Sequence, residues 1–136
     1  MGTTRFSLTA AVSLLISFNV NVNANPPPAD SSDAVRMRDY ADQIRDMKQP
    51  GGEVSCCSVA DCRPVDNWRV NKDGHYEVFI RKLTPDGHGW PNGPDAYVEV
   101  PDAKVIHGSQ VPEPVACWTR HPENKGFYCF TPGSGT

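Results

Sequence analysis

Five cysteines are the side chains in this 136-residue sequence best suited to covalent or metal chemistry. Three of them cluster as Cys56, Cys57 and Cys62, and two follow as Cys117 and Cys129. In an oxidising compartment, thiols with suitable geometry form disulfides and remain oxidised. Because the count is odd, at most two bridges form within one chain. The remaining cysteine can stay free or link two chains as a covalent dimer.

The two C-terminal cysteines are predicted to face each other across a hairpin. Residues 115–120 and 127–130 are rich in aromatic and β-branched side chains, which is typical of strands, and residues 121–126 have turn composition. Pairing residue 120 with residue 126 places Cys117 opposite Cys129, where Cβ atoms lie about 4.5–5.5 Å apart. The sequence therefore favours a Cys117–Cys129 disulfide. The alternative is a bridge from this hairpin to the 56–62 segment.

The cluster Cys56-Cys57-x4-Cys62 permits two interpretations. In the first, a local disulfide joins Cys57 to Cys62, with Cys56 as the rival partner, and one thiol is left over. In the second, the thiolates of Cys56, Cys57 and Cys62 handle other thiols or bind a soft metal ion such as copper or zinc. Their spacing is not that of a known zinc motif, so the structural interpretation is favoured and no cofactor is predicted.

The segment Thr84–Ala96 is a long loop rich in glycine and proline that also carries polar and aromatic side chains. Loops of this length in a compact domain are often functional. The tryptophan could present its ring to a sugar or a peptide, whereas the acidic residues do not follow a calcium-loop spacing. The structural alternative is a plug in which the tryptophan folds back onto the sheet. The predicted binding residues are Asp86, His88, Trp90, Asn92 and Asp95.

The elements that must position these residues begin with one amphipathic helix. Ser31 or Ser32 is a suitable N-cap, and apolar residues recur at helical spacing from Met37 to Met47. Charged residues occupy the opposite face, and Pro50 ends the helix. This pattern predicts a helix whose apolar face packs on the core.

Short strands account for most of the remaining chain. An Asp-Gly pair at residues 73–74 separates two apolar runs, which predicts a hairpin formed by residues 67–70 and 75–83. Further strands are predicted at 97–100, at 102–107 and in the C-terminal hairpin. The predicted fold is α+β, with one N-terminal amphipathic helix packed on a small, disulfide-stapled antiparallel sheet of five or six short strands.

Residues 1–24 are typical of a secretory signal peptide. Arg5 supplies the positive charge, an uncharged apolar stretch follows, and Val22 and Ala24 are small residues suited to cleavage. Residues 25–30 are a proline-rich disordered lead-in, residues 31–132 a single domain and residues 133–136 a flexible tail. The sequence thus predicts a periplasmic or secreted protein with no membrane insertion after cleavage.

Two cysteine motifs and a Val-Pro pair occur in a recognisable order. They are Val54-Ser55-Cys56-Cys57-Ser58-x-x-Asp61-Cys62-Arg63, Val100-Pro101 and Cys129-Phe130-x-Pro132. This pattern resembles short exported Gram-negative bacterial proteins of unassigned function. The resemblance implies export and a shared cysteine framework, and it implies no activity, substrate or site residue.

Charge and motif content restrict the function further. The chain has 16 acidic and 13 basic side chains without a basic cluster, so the electrostatic footprint of nucleic-acid binding is missing. The sequence contains no nucleophile elbow, zinc-protease motif or phosphate-binding glycine loop. We therefore expect a non-catalytic domain that binds a protein, a peptide or a glycan. The alternative is a thiol- or metal-handling periplasmic protein that uses Cys56, Cys57 and Cys62.

Overall fold

The computed structural model describes residues 27–57, 61–119 and 126–135. Within these ranges the chain is an α+β domain with two antiparallel three-stranded sheets and two disulfides, which confirms the predicted fold class. The predicted signal peptide and the first residues of the predicted lead-in lie outside the described ranges. In the described part, no helix is both long enough and apolar enough to cross a membrane.

The N-terminal helical segment is interrupted, whereas its apolar spacing predicts one continuous helix. Helix α1 spans Ser32–Met37, three residues of 3-10 helix follow, and helix α2 spans Ala41–Asp46. The hydroxyl of Ser31 caps α1 by accepting a hydrogen bond from the backbone N–H of Ala34. Tyr40 leaves helical geometry at the break, with a φ of −131°, and its ring is buried. The other buried apolar residues of this segment are Met37, Ile44 and Met47.

The strands form two separate sheets rather than the single sheet that the sequence predicts. They are β1 Asp61–Pro64, β2 Trp68–Val70, β3 Tyr76–Ile80, β4 Ala96–Glu99, β5 Val115–Trp118 and β6 Phe127–Thr131. The first sheet has the order β1-β5-β6 and the second the order β2-β3-β4. The sequence does not predict β1 as a strand, because its four residues, DCRP, include two charged side chains and a proline. Residues 102–107, predicted as a strand, instead begin with a 3-10 turn at Asp102–Lys104.

The first sheet is the central layer of the domain. Val115 and Cys117 of β5 pack on the side of α1 and α2, whereas Ala116 between them packs towards the second sheet. Because side chains alternate along a strand, one sheet can serve two buried clusters in this way. In β3, Val78 and Ile80 are fully buried on one face, as their alternation predicts.

The residues that follow β6 are hydrogen-bonded to the rest of the domain. The backbone N–H of Ser134 donates a hydrogen bond to the carbonyl oxygen of Val111 at 2.8 Å. The sequence predicts a flexible tail from residue 133, and Ser134 makes this bond within that segment.

Candidate functional site

Two disulfides connect the 56–62 segment to the C-terminal hairpin, one through Cys56 and Cys129 and the other through Cys62 and Cys117. The predicted Cys117–Cys129 and Cys57–Cys62 bonds are therefore not formed. Cys117 does lie opposite Cys129 in the register of β5 and β6. Strand β1, however, pairs with the other edge of β5 and places Cys62 opposite Cys117 as well. The predicted pairing is wrong because it does not include β1, which pairs with β5.

Cys57 is a free cysteine whose sulfur lies 2.8 Å from the sulfur of Cys62. Its thiol also contacts the carbonyl oxygen of Ile44 at 3.3 Å. Burial raises the pKa of the Cys57 thiol to about 11, with the negative charge of Asp61 adding to the shift and Arg45 opposing it. Reactive cysteines have a lowered pKa. The thiol of Cys57 is therefore protonated near neutral pH and is a poor nucleophile there.

The sulfur atoms of Cys57, Cys62 and Cys117 lie within 4.8 Å of one another, close enough to share one metal ion. The metal site predicted from the sequence contained Cys56 instead of Cys117, and it does not form because Cys56 is bonded to Cys129. Cys62 and Cys117 are bonded to each other, so this oxidised form offers a single thiol. The cluster becomes a three-thiolate set for a soft metal only after reduction.

The loop Thr84–Ala96 directs its tryptophan inward. Trp90 is 2% exposed, packs between the two sheets, and donates from Nε1 to the carbonyl oxygen of Asp61 at 2.8 Å. The close approach of the loop to β3 requires glycine at Gly89, where φ is +89° and a Cβ atom would lie 2.8 Å from the carbonyl oxygen of Arg81. Trp90 thus folds back onto the sheet as a plug, which is the structural alternative stated above. It has almost no surface to offer a ligand.

Arg63 and Asp33 form the centre of a buried ionic network, with side chains 2% and 1% exposed. Arg63 donates to Oδ2 of Asp61 from Nε and Nη2, at 3.1 and 3.0 Å, and to the carbonyl oxygen of Gly87 at 3.1 Å. Asp33 lies 3.6 Å from Nη1 of Arg63 and accepts the backbone N–H of Gly89 at 3.0 Å. Since buried charges are tolerated only when paired and hydrogen-bonded, this network holds α1, β1 and the loop together.

His88 extends the network to the surface. Its Nδ1 contacts the carboxylate of Asp33, and its Nε2 lies 2.7 Å from Oδ2 of Asp66. Burial acts to lower the pKa of His88, but the hydrogen bonds and charges of Asp33 and Asp66 outweigh it and raise the pKa above its ordinary value. Because a carboxylate contacts each ring nitrogen of His88, neither nitrogen is free to abstract a proton from a substrate. His88 is therefore suited to positioning rather than to general-base chemistry.

Asp66 forms the outer end of the network, where three cations meet one carboxylate. Arg36 lies 2.6 Å from its Oδ1, His88 contacts its Oδ2, and Arg81 lies 3.8 Å from Oδ2. Burial acts to raise the pKa of Asp66, but Arg36 and His88 outweigh it and lower the pKa. Because 3.8 Å exceeds hydrogen-bond distance, Arg81 does not form a hydrogen bond with this carboxylate, whereas Arg36 and His88 do.

A shallow cleft opens where the network reaches the second sheet. Its volume is about 10 Å³, roughly the space of one water molecule. Its polar lining residues are Asp66, Asn67, Arg81 and His88, and Phe79 is one of the apolar lining residues. The remaining lining residues are Pro64, Val65 and Trp90.

Three of the five predicted loop residues lie away from this cleft. Asp86, Asn92 and Asp95 are exposed and do not line it. Asp86 accepts a hydrogen bond from the hydroxyl of Thr84, which lowers the pKa of its carboxyl group. Asp95 occupies a turn with a φ of +57°. The structure thus brings together only His88 and Trp90 of the predicted set.

Aromatic and guanidinium groups cover the outer face of β3 and β4. The rings of Phe79 and Tyr97 meet edge to face at 5.3 Å. The guanidinium of Arg69 lies 4.1 Å above the ring of Tyr97, and that of Arg81 lies 5.7 Å from the ring centre of Phe79. Arg69 also pairs with Glu77 at 2.6 Å. The faces of both rings are therefore partly occupied by groups of the protein itself.

Sequence reasoning missed Asp33, Arg63 and Asp66. One signal was available: Arg63 lies between a cysteine and Pro64-Val65, where a solvated charge is unexpected. Comparison with known proteins found no matching family model, no similar curated protein and no similar solved structure. The fold and the site define a disulfide-stapled α+β domain with a small cleft lined by polar and apolar residues.

Proposed function

We propose that this chain is an exported, non-catalytic binding domain whose cleft receives one carboxylate group of a peptide or of a protein segment. The observation that carries the proposal is that Arg81, His88 and Asn67 line one cleft of single-water size. A space this small accommodates one group of a ligand rather than a whole small molecule. Arg81 and Asn67 can donate hydrogen bonds to an anionic acceptor, whereas both nitrogens of His88 are engaged by Asp33 and Asp66.

Arg81 is the residue that we assign to the ligand carboxylate. Its side chain is 35% exposed, and it lies 3.8 Å from Asp66, whereas Arg36 lies 2.6 Å from the same carboxyl group. Guanidinium groups bind carboxylates through paired, charge-assisted hydrogen bonds. Arg36 and His88 reduce the repulsion between Asp66 and an anionic ligand, and each of them is also paired with a second carboxylate, Glu113 or Asp33.

A peptide fits this surface better than a sugar does. Sugar rings stack on the open face of an aromatic ring, and the faces of Tyr97 and Phe79 are approached by Arg69 and Arg81. Tyr97 is 40% exposed, so part of its ring remains available to the side chain of a peptide. The proposed ligand is thus a peptide segment with a carboxylate beside an apolar residue.

Export belongs to this proposal and is supported by two observations. The first 24 residues have the composition of a secretory leader. Two disulfides connect segments 73 and 55 residues apart in the sequence, and such bridges persist in oxidising compartments.

We expect the substitution Arg81→Gln to weaken binding of acidic peptides about tenfold, because one charge-assisted hydrogen-bond pair of about 1.4 kcal/mol is lost. The probes are short peptides with a free C-terminal carboxylate and the same peptides with an amidated C-terminus, titrated by calorimetry. Arg69→Gln is the matched control, since it removes the same charge from the same sheet face at a residue that does not line the cleft.

Two results would contradict the proposal. One is equal affinity of the wild-type and Arg81→Gln proteins for the carboxylate peptides. The other is capture of an oligouronic acid in preference to every peptide, which would assign the cleft to a glycan.

Thiol or metal handling is the second candidate function, and the proximity of the Cys57, Cys62 and Cys117 sulfurs favours it. The raised pKa of Cys57 opposes rapid thiol chemistry near neutral pH. We therefore place this candidate below the binding domain.

A further inference from the structure

The three-sulfur cluster supports an inference that is independent of the cleft. We propose that Cys57, Cys62 and Cys117 form an intramolecular thiol–disulfide exchange site, in which Cys57 replaces Cys117 as the bonding partner of Cys62. The sulfur of Cys57 already lies 2.8 Å from that of Cys62. A disulfide bond is about 2.05 Å long, so the two sulfurs need to approach by less than the width of an atom.

The exchange step conserves atoms and electrons. Cys57 loses its thiol proton, its sulfur attacks Sγ of Cys62, and the Cys57–Cys62 bond forms as the Cys62–Cys117 bond breaks. Cys117 leaves as a thiolate and takes up a proton from the solvent, in place of the one that Cys57 released. No oxidant or reductant is needed, because one disulfide replaces another.

The exchange changes which part of the fold is covalently tied. The Cys62–Cys117 bond joins β1 to β5 across 55 residues of sequence, whereas a Cys57–Cys62 bond closes a short local loop. The free thiol moves at the same time from half-buried Cys57 to fully buried Cys117. The exchange therefore moves the free thiol into the core. In return, the domain loses the disulfide that joins β1 to β5.

A second step is open to the thiolate that the first step produces. Cys117 lies opposite Cys129 in the register of β5 and β6, and Cys129 is bonded to Cys56. Attack on Cys129 would form a Cys117–Cys129 bond and release Cys56 as the free thiol.

The thiolate fraction of Cys57 controls the rate of the first step. Ile44 and Arg45 face this thiol from α2, through a carbonyl oxygen and a positive charge, and Asp61 faces it from β1 with a negative charge. Burial, aided by Asp61, raises the pKa to about 11. Below that pH, each additional unit increases the thiolate fraction about tenfold. Exchange is thus slow near neutral pH and fast in alkaline solution.

The experiment identifies the cysteine that carries the free thiol. It uses the whole chain, recovered after export and incubated in its folded state. The protein is incubated between about pH 7 and about pH 10, quenched with acid, unfolded, labelled with N-ethylmaleimide in mild acid and digested with trypsin. The peptide 105–120 contains Cys117 as its single cysteine, so label on this peptide reports exchange. We expect label on Cys57 before incubation and a rate of Cys117 labelling that rises about tenfold per pH unit.

Two variants make the result decisive. Cys57→Ser removes the nucleophile and should abolish labelling of Cys117 at every pH. Arg45→Gln removes an exposed charge that lowers the pKa of Cys57, and it should slow exchange at a given pH. Label on Cys56 shows that the second step follows the first and also supports the proposal. Label confined to Cys57 throughout the pH series, or Cys117 labelling that persists in Cys57→Ser, overturns it.

Discussion

Replacing Trp90 with alanine is expected to lower the free energy of unfolding by about 3–5 kcal/mol, the usual cost of removing a large aromatic side chain from a core. Trp90 is 2% exposed and packs between the two sheets. Its loss also removes the hydrogen bond from Nε1 to the carbonyl oxygen of Asp61. Urea denaturation measures the change, and the melting temperature should fall by roughly 15–25 °C.

Leu83→Ala is the matched control for Trp90→Ala. Leu83 lies next to the same loop, is 41% exposed, and should cost less than about 0.5 kcal/mol when truncated. If Trp90→Ala were as stable as Leu83→Ala but lost peptide binding, the tryptophan would be a ligand contact, and the inward orientation of the loop would be incorrect.

The substitution Asp33→Asn is expected to destabilise the protein by about 3 kcal/mol, because removing one partner leaves other buried charges uncompensated. Asp33 is 1% exposed and faces both Arg63 and His88. Each of these cations keeps one other carboxylate, Asp61 or Asp66, so the cost lies at the lower end of the usual range. Chemical denaturation at neutral pH is the appropriate measurement.

Asp39→Asn controls for the loss of one negative charge in the same helical segment. Asp39 is exposed, and its substitution should change stability by less than about 0.5 kcal/mol. Equal effects of the two substitutions would show that the network around Asp33 contributes nothing specific to stability.

The sequence predicted the features that depend on local pattern. The Asp-Gly pair places the turn between β2 and β3, where Gly74 has a φ of +88°. The aromatic and β-branched residues of β5 and β6 predict the C-terminal hairpin and the position of Cys117 opposite Cys129. These are short-range relations, and a short window of sequence contains the information that determines them.

Features that depend on distant contacts were not predictable in the same way. Strand β1 is short and polar, and it becomes a strand because β5 pairs with it. This pairing selects Cys62 as the partner of Cys117 and leaves Cys129 for Cys56. In the same way, Asp33 is an ordinary first-turn acidic residue in sequence, and it becomes buried only because the distant loop covers it.

Two residues of the Thr84–Ala96 loop differ in how the structure uses them. Trp90 was the residue most conspicuous in sequence, yet its large apolar ring is the side chain that gains most from burial. His88 remains partly exposed, and its two nitrogens are engaged by Asp33 and Asp66. The cleft therefore lies beside His88 and Arg81, on the sheet side of the loop.

The two disulfides support both the proposed export and the proposed exchange site. The most direct test is the intact mass and the disulfide map of the protein recovered from an exporting host and trapped in acid. We predict a mass four hydrogens below that of the reduced chain, no bound metal, bonds Cys56–Cys129 and Cys62–Cys117, and a free thiol on Cys57. Five free thiols, or zinc or copper held by the cysteines, would contradict the account.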